Sequence, residues 1–130
     1  MKRPIIGFAG LTHLGLNSAV ATASKGFSVV GYHNDASMVA LLNSGKPHVL
    51  EPQLPELMEK HQENLSFSAE LSCLASCDIV YISVDVPTDD NGKSDLKSIE
   101  EMIDRAATIM RKEALLVILC QVSPGFTRTL

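Results

Sequence analysis

The chain has 130 residues, 45 % of them hydrophobic, with three cysteines and a net charge of −4 spread over interspersed acids and bases. That suffices for one domain with its own apolar core. It argues against a nucleic-acid partner, which needs a basic face, and against a membrane span, since no apolar run approaches the ~20 residues required. An odd cysteine count suits a reducing cytoplasm better than a disulfide framework.

Pro4 to Ala9 is a short apolar run, followed at once by Gly10-Leu11-Thr12-His13-Leu14-Gly15. A helix-compatible stretch, Asn17 to Lys25, leads to Gly26 and a second apolar run, Phe27 to Tyr32, closed by His33. Strand, glycine turn, helix and strand in this order are the layout of a dinucleotide-binding βαβ unit. The fingerprint there is G-x-G-x-x-G, with an acid ending the second strand. Here Thr12 replaces the middle glycine and His33 stands in the acid's place.

A helix beginning near His13 offers free N–H groups and a positive dipole end to a pyrophosphate. Gly10, Thr12, His13, Leu14 and Gly15 therefore form the candidate phosphate cradle. Thr12 either crowds the phosphate with its branched side chain or lends it a hydroxyl. At His33 a neutral imidazole accepts one hydrogen bond and an imidazolium none, whereas a carboxylate serves both ribose hydroxyls. Asp35, two residues on, is the substitute acceptor if the loop bends back. The alternatives are a purely structural turn at 10–15 and a solvated histidine at a strand end.

Further strand-like runs fall at 64–68, 78–84 and 115–120, the last two almost continuously apolar, as in strands buried on both faces. Asn43-Ser44-Gly45-Lys46-Pro47 closes a short helix. The segment 95–112 carries the clearest helical pattern, with Ile99, Met102, Ile103, Ala106 and Met110 on one face. Ser94 is its expected N-cap, and Arg111 and Lys112 its expected last turn. The alternation predicts an α/β fold: a Rossmann-like, doubly wound, mainly parallel sheet of at least five strands with helices on both faces. Loops at 10–15, 85–93 and 121–125 would then meet at the carboxyl ends of the strands, where open α/β sheets bind ligands. No metal site is expected. Asp89 and Asp90 read as a solvated turn, and Cys73-x-x-x-Cys77 lacks companions at zinc spacing.

These landmarks, in this order, resemble the N-terminal NAD-binding domain of the UDP-glucose/GDP-mannose dehydrogenase family over essentially the whole chain. The family's G-x-G-x-x-G is met by Gly10 and Gly15, and its Leu-Asn-Ser-Gly by Leu42-Asn43-Ser44-Gly45. Its Glu-Pro-Gly-Leu appears as Glu51-Pro52-Gln53-Leu54, and its Val-Pro-Thr-Pro as Val84-Asp85-Val86-Pro87. Asp-Gly-x-x-Asp-Leu is matched by Asn91, Gly92, Asp95 and Leu96, and Ser-Thr-Val-x-Pro-Gly by Cys120-Gln121-Val122-Ser123-Pro124-Gly125.

The resemblance implies NAD as cofactor, bound weakly because the departures fall on its contacts, with NADP the secondary reading. It places Asp85 and Gln121 beside the nicotinamide and counts Val84 among the cofactor-binding residues. It implies a nucleotide-sugar substrate whose C6 alcohol the intact enzyme oxidises to a carboxylate, and leaves a homodimer open. No catalytic residue is assigned to this chain. The family's cysteine nucleophile and its helpers lie downstream, and Cys73, Cys77 and Cys120 do not correspond to it. An ending just past the last motif reads as a cut from a longer parent. The rival reading is a non-catalytic binding or regulatory module with a decayed cofactor site.

Overall fold

Parallel strands β1 (Ile5–Ala9), β2 (Ser28–Tyr32), β3 (Leu65–Ser68), β4 (Ile79–Ile82) and β5 (Leu115–Ile118) form one sheet in the order β3-β2-β1-β4-β5. The computed structural model describes residues 4–11, 13–46, 53–83 and 97–119. Every pairing is parallel, and the register aligns Ala9 with both Tyr32 and Ile82, Tyr32 with Ser68, and Ile82 with Ile118. The carboxyl ends of all five strands thus lie in one row.

Side chains alternate across the sheet because successive residues of a strand face opposite ways. Ile6, Phe8, Val29, Leu65 and Phe67 pack under α1 (His13–Ser24), α2 (Ala36–Asn43) and α3 (Leu54–Lys60), against Leu16, Ala19, Val20, Ala23, Val39, Leu42 and Met58. Ala9, Tyr32, Val80 and Ile82 pack on the other side, under α4 (Lys97–Ile109) and a 3-10 stretch, Leu71–Ser76. Helices cover both faces, as the alternation predicts. Among the described residues no helix is long and apolar enough to cross a membrane.

In α4, Ile99, Ile103 and Ala106 are buried and Met102 and Met110 pack at the margin. The expected cap at Ser94 lies outside the described residues. The expected last turn is corrected: the helix ends at Ile109, and Arg111 leaves it to pair with the Asp78 carboxylate. Asp78 also ties three strands together. Its Oδ2 accepts from Ile5 N at 2.7 Å, its own N–H donates to Ile5 O at 2.8 Å, and its carbonyl accepts from Leu115 N at 3.0 Å.

Two motif residues acquire structural reasons. Asn43 bonds both backbone groups of Phe67, its Nδ2 donating to Phe67 O at 3.0 Å and its Oδ1 accepting from Phe67 N at 3.1 Å. Edge strand β3 thereby gains a partner where a sheet neighbour is missing. Gln53 precedes α3 with φ 68°, a left-handed conformation that favours glycine. A helix at 54–60 and a 3-10 stretch at 71–76 are not distinguished in the sequence pattern.

Cys77 is fully buried. Burial first, then the nearby Cys73 and Asp78, push its thiol from the ordinary 9.0 up to about 11, with Arg111 partly offsetting them. The folded thiol therefore holds its proton at a pH where the unfolded thiol has lost it. The stability this confers is complete below pH 9 and is lost as pH rises towards 11. Urea-denaturation stability should show a falling component over that window, and Cys77→Ala should lessen it. An identical pH profile in the variant would refute the assignment.

Candidate functional site: the glycine turn at the strand ends

β1 lies between β2 and β4, and the chain winds outward from it in opposite directions. This switch point opens a crevice outside the carboxyl ends of β1 and β4. The glycine turn sits there. Gly10 N–H donates to Tyr32 O at 3.0 Å, carrying the ladder one residue beyond β1. Gly10 then turns the chain with φ 115°, which a side chain would strain. Leu11 is fully buried, and α1 starts at His13.

Gly15, in the first turn of α1, is where helix and turn touch. A Cβ there would lie 1.9 Å from Gly10 O and 2.8 Å from Ser83 Oγ. Only a glycine lets α1 begin this close to β1, which brings its N-terminal N–H groups to the crevice. The outer glycines of the fingerprint thus both have physical reasons here. Leu14 is 44 % exposed beside them, an apolar side chain open to solvent at the mouth of the turn.

His33 follows β2, its N–H donating to Ser68 O at 3.1 Å. Its Nδ1 accepts from Asp35 N at 3.0 Å. This contact ties the ring to its own loop. Asp35 does not bend back. It is the N-cap of α2, its Oδ1 accepting from Ser37 N at 2.9 Å and Met38 N at 3.2 Å. Any ribose contact by Asp35 would fall to Oδ2.

The structure thus brings Gly10, His13, Leu14, Gly15, His33 and Asp35 to one edge of the sheet. Thr12, Val84, Asp85 and Gln121 lie outside the described residues. The sequence reading missed Ser83. A hydroxyl in the otherwise apolar run Ile79 to Val84 is the signal that should have found it, because a buried hydroxyl needs a partner. Ser83 Oγ donates to Gly10 O at 2.8 Å. The hollows described between α2 and α3, lined by Ser44, Met58, Glu59 and Gln62 or by Leu42, Gln62 and Phe67, lie near the amino end of β3, away from the turn. Among the described residues no group of three His, Cys, Asp or Glu side chains could hold a metal ion.

The model of the UDP-glucose/GDP-mannose dehydrogenase family, NAD binding domain, matches residues 4–130. The chain belongs to that family. A curated relative, UDP-N-acetyl-D-mannosamine dehydrogenase of Pyrococcus horikoshii, is 29 % identical over 124 residues, covering 94 % of this chain and 29 % of the relative. The solved structure of UDP-D-ManNAc dehydrogenase from Pyrococcus horikoshii matches with a TM-score of 0.90 at 28 % identity, over 96 % of this chain and 30 % of the other. GDP-mannose dehydrogenase from Pseudomonas aeruginosa, solved as a ternary complex, matches with a TM-score of 0.88 at 26 % identity, over 95 % and 30 %. This member of the UDP-glucose/GDP-mannose dehydrogenase family spans less than a third of the length of these relatives.

Proposed function

We propose that this chain is the cofactor-holding domain of an NAD-dependent nucleotide-sugar dehydrogenase, which oxidises a C6 alcohol to a carboxylate in two hydride transfers. The observation that carries the reading is the glycine turn. Gly10 at positive φ and a Gly15 with no room for a Cβ set the N-terminus of α1 at the switch point of a parallel sheet. This cradle fits a dinucleotide pyrophosphate.

Bound NAD would supply the hydride acceptor. The remaining work belongs to the chain. The α1 N-terminus, with Gly10, Thr12, His13, Leu14 and Gly15, would neutralise the pyrophosphate through backbone N–H groups and the helix dipole. His33 and Asp35 would face the adenosine ribose, less effectively than a carboxylate at the end of β2. Asp85 and Gln121 would border the nicotinamide, with Val84 among the cofactor-binding residues. NAD is the reading, with weak affinity; NADP is the secondary reading, and the Asp35 carboxylate beside His33 disfavours a 2′-phosphate. The nucleophile and the sugar site would come from the part of the family's length that this chain does not span. A cytoplasmic setting suits Cys73 and Cys77, neither of which is in a disulfide. Homodimerisation, where it occurs in the parent, is compatible with the single domain, and the net charge of −4 gives nucleic acid no footing.

The test has two arms. Calorimetric titration should show NAD binding to the purified chain. The chain alone should not reduce NAD in the presence of UDP-glucose or GDP-mannose above a heat-killed control. Absence of NAD binding would overturn the cofactor role, and turnover would show that the nucleophile is within these residues.

A further inference from the structure

Among the described residues one polar side chain is fully buried, and it is Ser83. It follows β4 at the switch point, where three elements meet. Ser83 N–H donates to Ala9 O at 2.9 Å, extending the β1–β4 ladder. Its hydroxyl donates to Gly10 O at 2.8 Å, with Ala9 O at 3.4 Å as a weaker second acceptor. Its Oγ also lies 2.8 Å from where a Cβ on Gly15 would stand. We propose that Ser83 is a positioning residue for the cofactor: it fixes the peptide plane of the glycine turn, and through it the first turn of α1. The inference rests on the cofactor-holding role proposed above.

The physical argument begins with the peptide bond. In a trans peptide the N–H points opposite to the C=O. Holding Gly10 O on the β4 side therefore holds the Leu11 N–H on the other side and sets the direction in which the chain enters α1. Gly10 needs such a clamp, because glycine has wide backbone freedom and here adopts φ 115°. Gly15 faces Gly10 O with no room for a Cβ between them. Rotation of the Gly10 carbonyl would therefore displace α1 itself. Serine is the smallest side chain with a hydroxyl donor. An apolar residue at 83 would satisfy the burial but leave the Gly10 carbonyl without this donor in a dry site.

The experiment compares the unmodified chain with Ser83→Ala and Ser83→Cys, the cysteine keeping a weak donor. Amide hydrogen exchange read by mass spectrometry on the ligand-free proteins reports on the turn, with a β3 peptide as internal reference. NAD affinity is read by calorimetry. Ser83→Ala should speed exchange over residues 10–16 by about tenfold, leave β3 unchanged, and weaken NAD by about tenfold, with Ser83→Cys between. Unchanged exchange at 10–16, or a rise spread equally over the chain, would overturn the positioning role, as would an unaltered NAD affinity. If the unmodified chain takes no NAD, the proposed function fails, and the exchange comparison still decides whether Ser83 holds the turn.

Discussion

Gly15→Ala is expected to destabilise the fold by at least about 2 kcal/mol and to remove measurable NAD binding. Helix propensity alone argues the other way, since alanine inside a helix is worth up to ~1 kcal/mol over glycine. Here the clash decides the sign. The new Cβ would stand 1.9 Å from Gly10 O and 2.9 Å from Gly10 C, both backbone atoms. Neither can rotate away as a side-chain tip would, because Gly10 N–H is bonded to Tyr32 O and Gly10 O to Ser83. Relief requires α1 to lift from β1. That helix brings Leu16, Ala19, Val20 and Ala23 into the core, none more than 1 % exposed. Lifting it opens space beneath several apolar side chains at once, the costly kind of core change. It also draws the α1 N-terminus back from the crevice. Urea denaturation and calorimetry measure the two effects. A variant as stable as the parent would mean that α1 stands off from the turn, contrary to the geometry.

The second large effect is a gain. Thr12→Gly combined with His33→Asp should tighten NAD binding by at least about tenfold, and by as much as ~10²- to 10³-fold if the two costs add. The His33 half follows from its bonding. Nδ1 accepts from Asp35 N–H, so the ring's acceptor is already spent on its own loop. A carboxylate at 33 restores acceptors for both ribose hydroxyls, each buried hydrogen bond being worth about 1–3 kcal/mol when its loss strands a partner. The Thr12 half follows from the fingerprint, in which the middle glycine lets backbone approach the pyrophosphate. His33→Asp should also turn preference further from NADP, because a carboxylate repels the 2′-phosphate. Calorimetry with both cofactors reads both outcomes. Tight NAD binding by the unmodified chain, with no gain from the double change, would mean that other groups have replaced the lost contacts. Asp35 Oδ2, Asp85 and the Thr12 hydroxyl would be the first to substitute.

The sequence by itself determined the sheet and its cofactor-family character. The strand runs are short, apolar and separated by helical patterns, and each of the five is a parallel strand within a residue or two. Periodicity carries that information locally, but the expected burial on both faces holds for β1 and largely for β4 and is corrected for β5, which lies at the end of the strand order with Leu115 63 % exposed and no fully buried residue. The α4 face was legible for the same reason: Ile99, Ile103 and Ala106 recur at helical spacing and are all buried. The end of α4 was not legible. Arg111 lies beyond the helix and pairs with Asp78, 33 residues away, a partner that no local pattern reveals. The capping role of Asp35 was not legible either, since a cap requires N–H groups that exist only once the helix forms, and it leaves only Oδ2 for any ribose contact. Ser83 and Gly15 show the limit most plainly. One is a hydroxyl just past a strand and the other a glycine in a helix, 68 positions apart, and neither reveals in sequence that both close on the carbonyl of Gly10. Only the tertiary structure brings β1, β4 and α1 together at that atom, because a parallel sheet pairs strands that the chain places far apart.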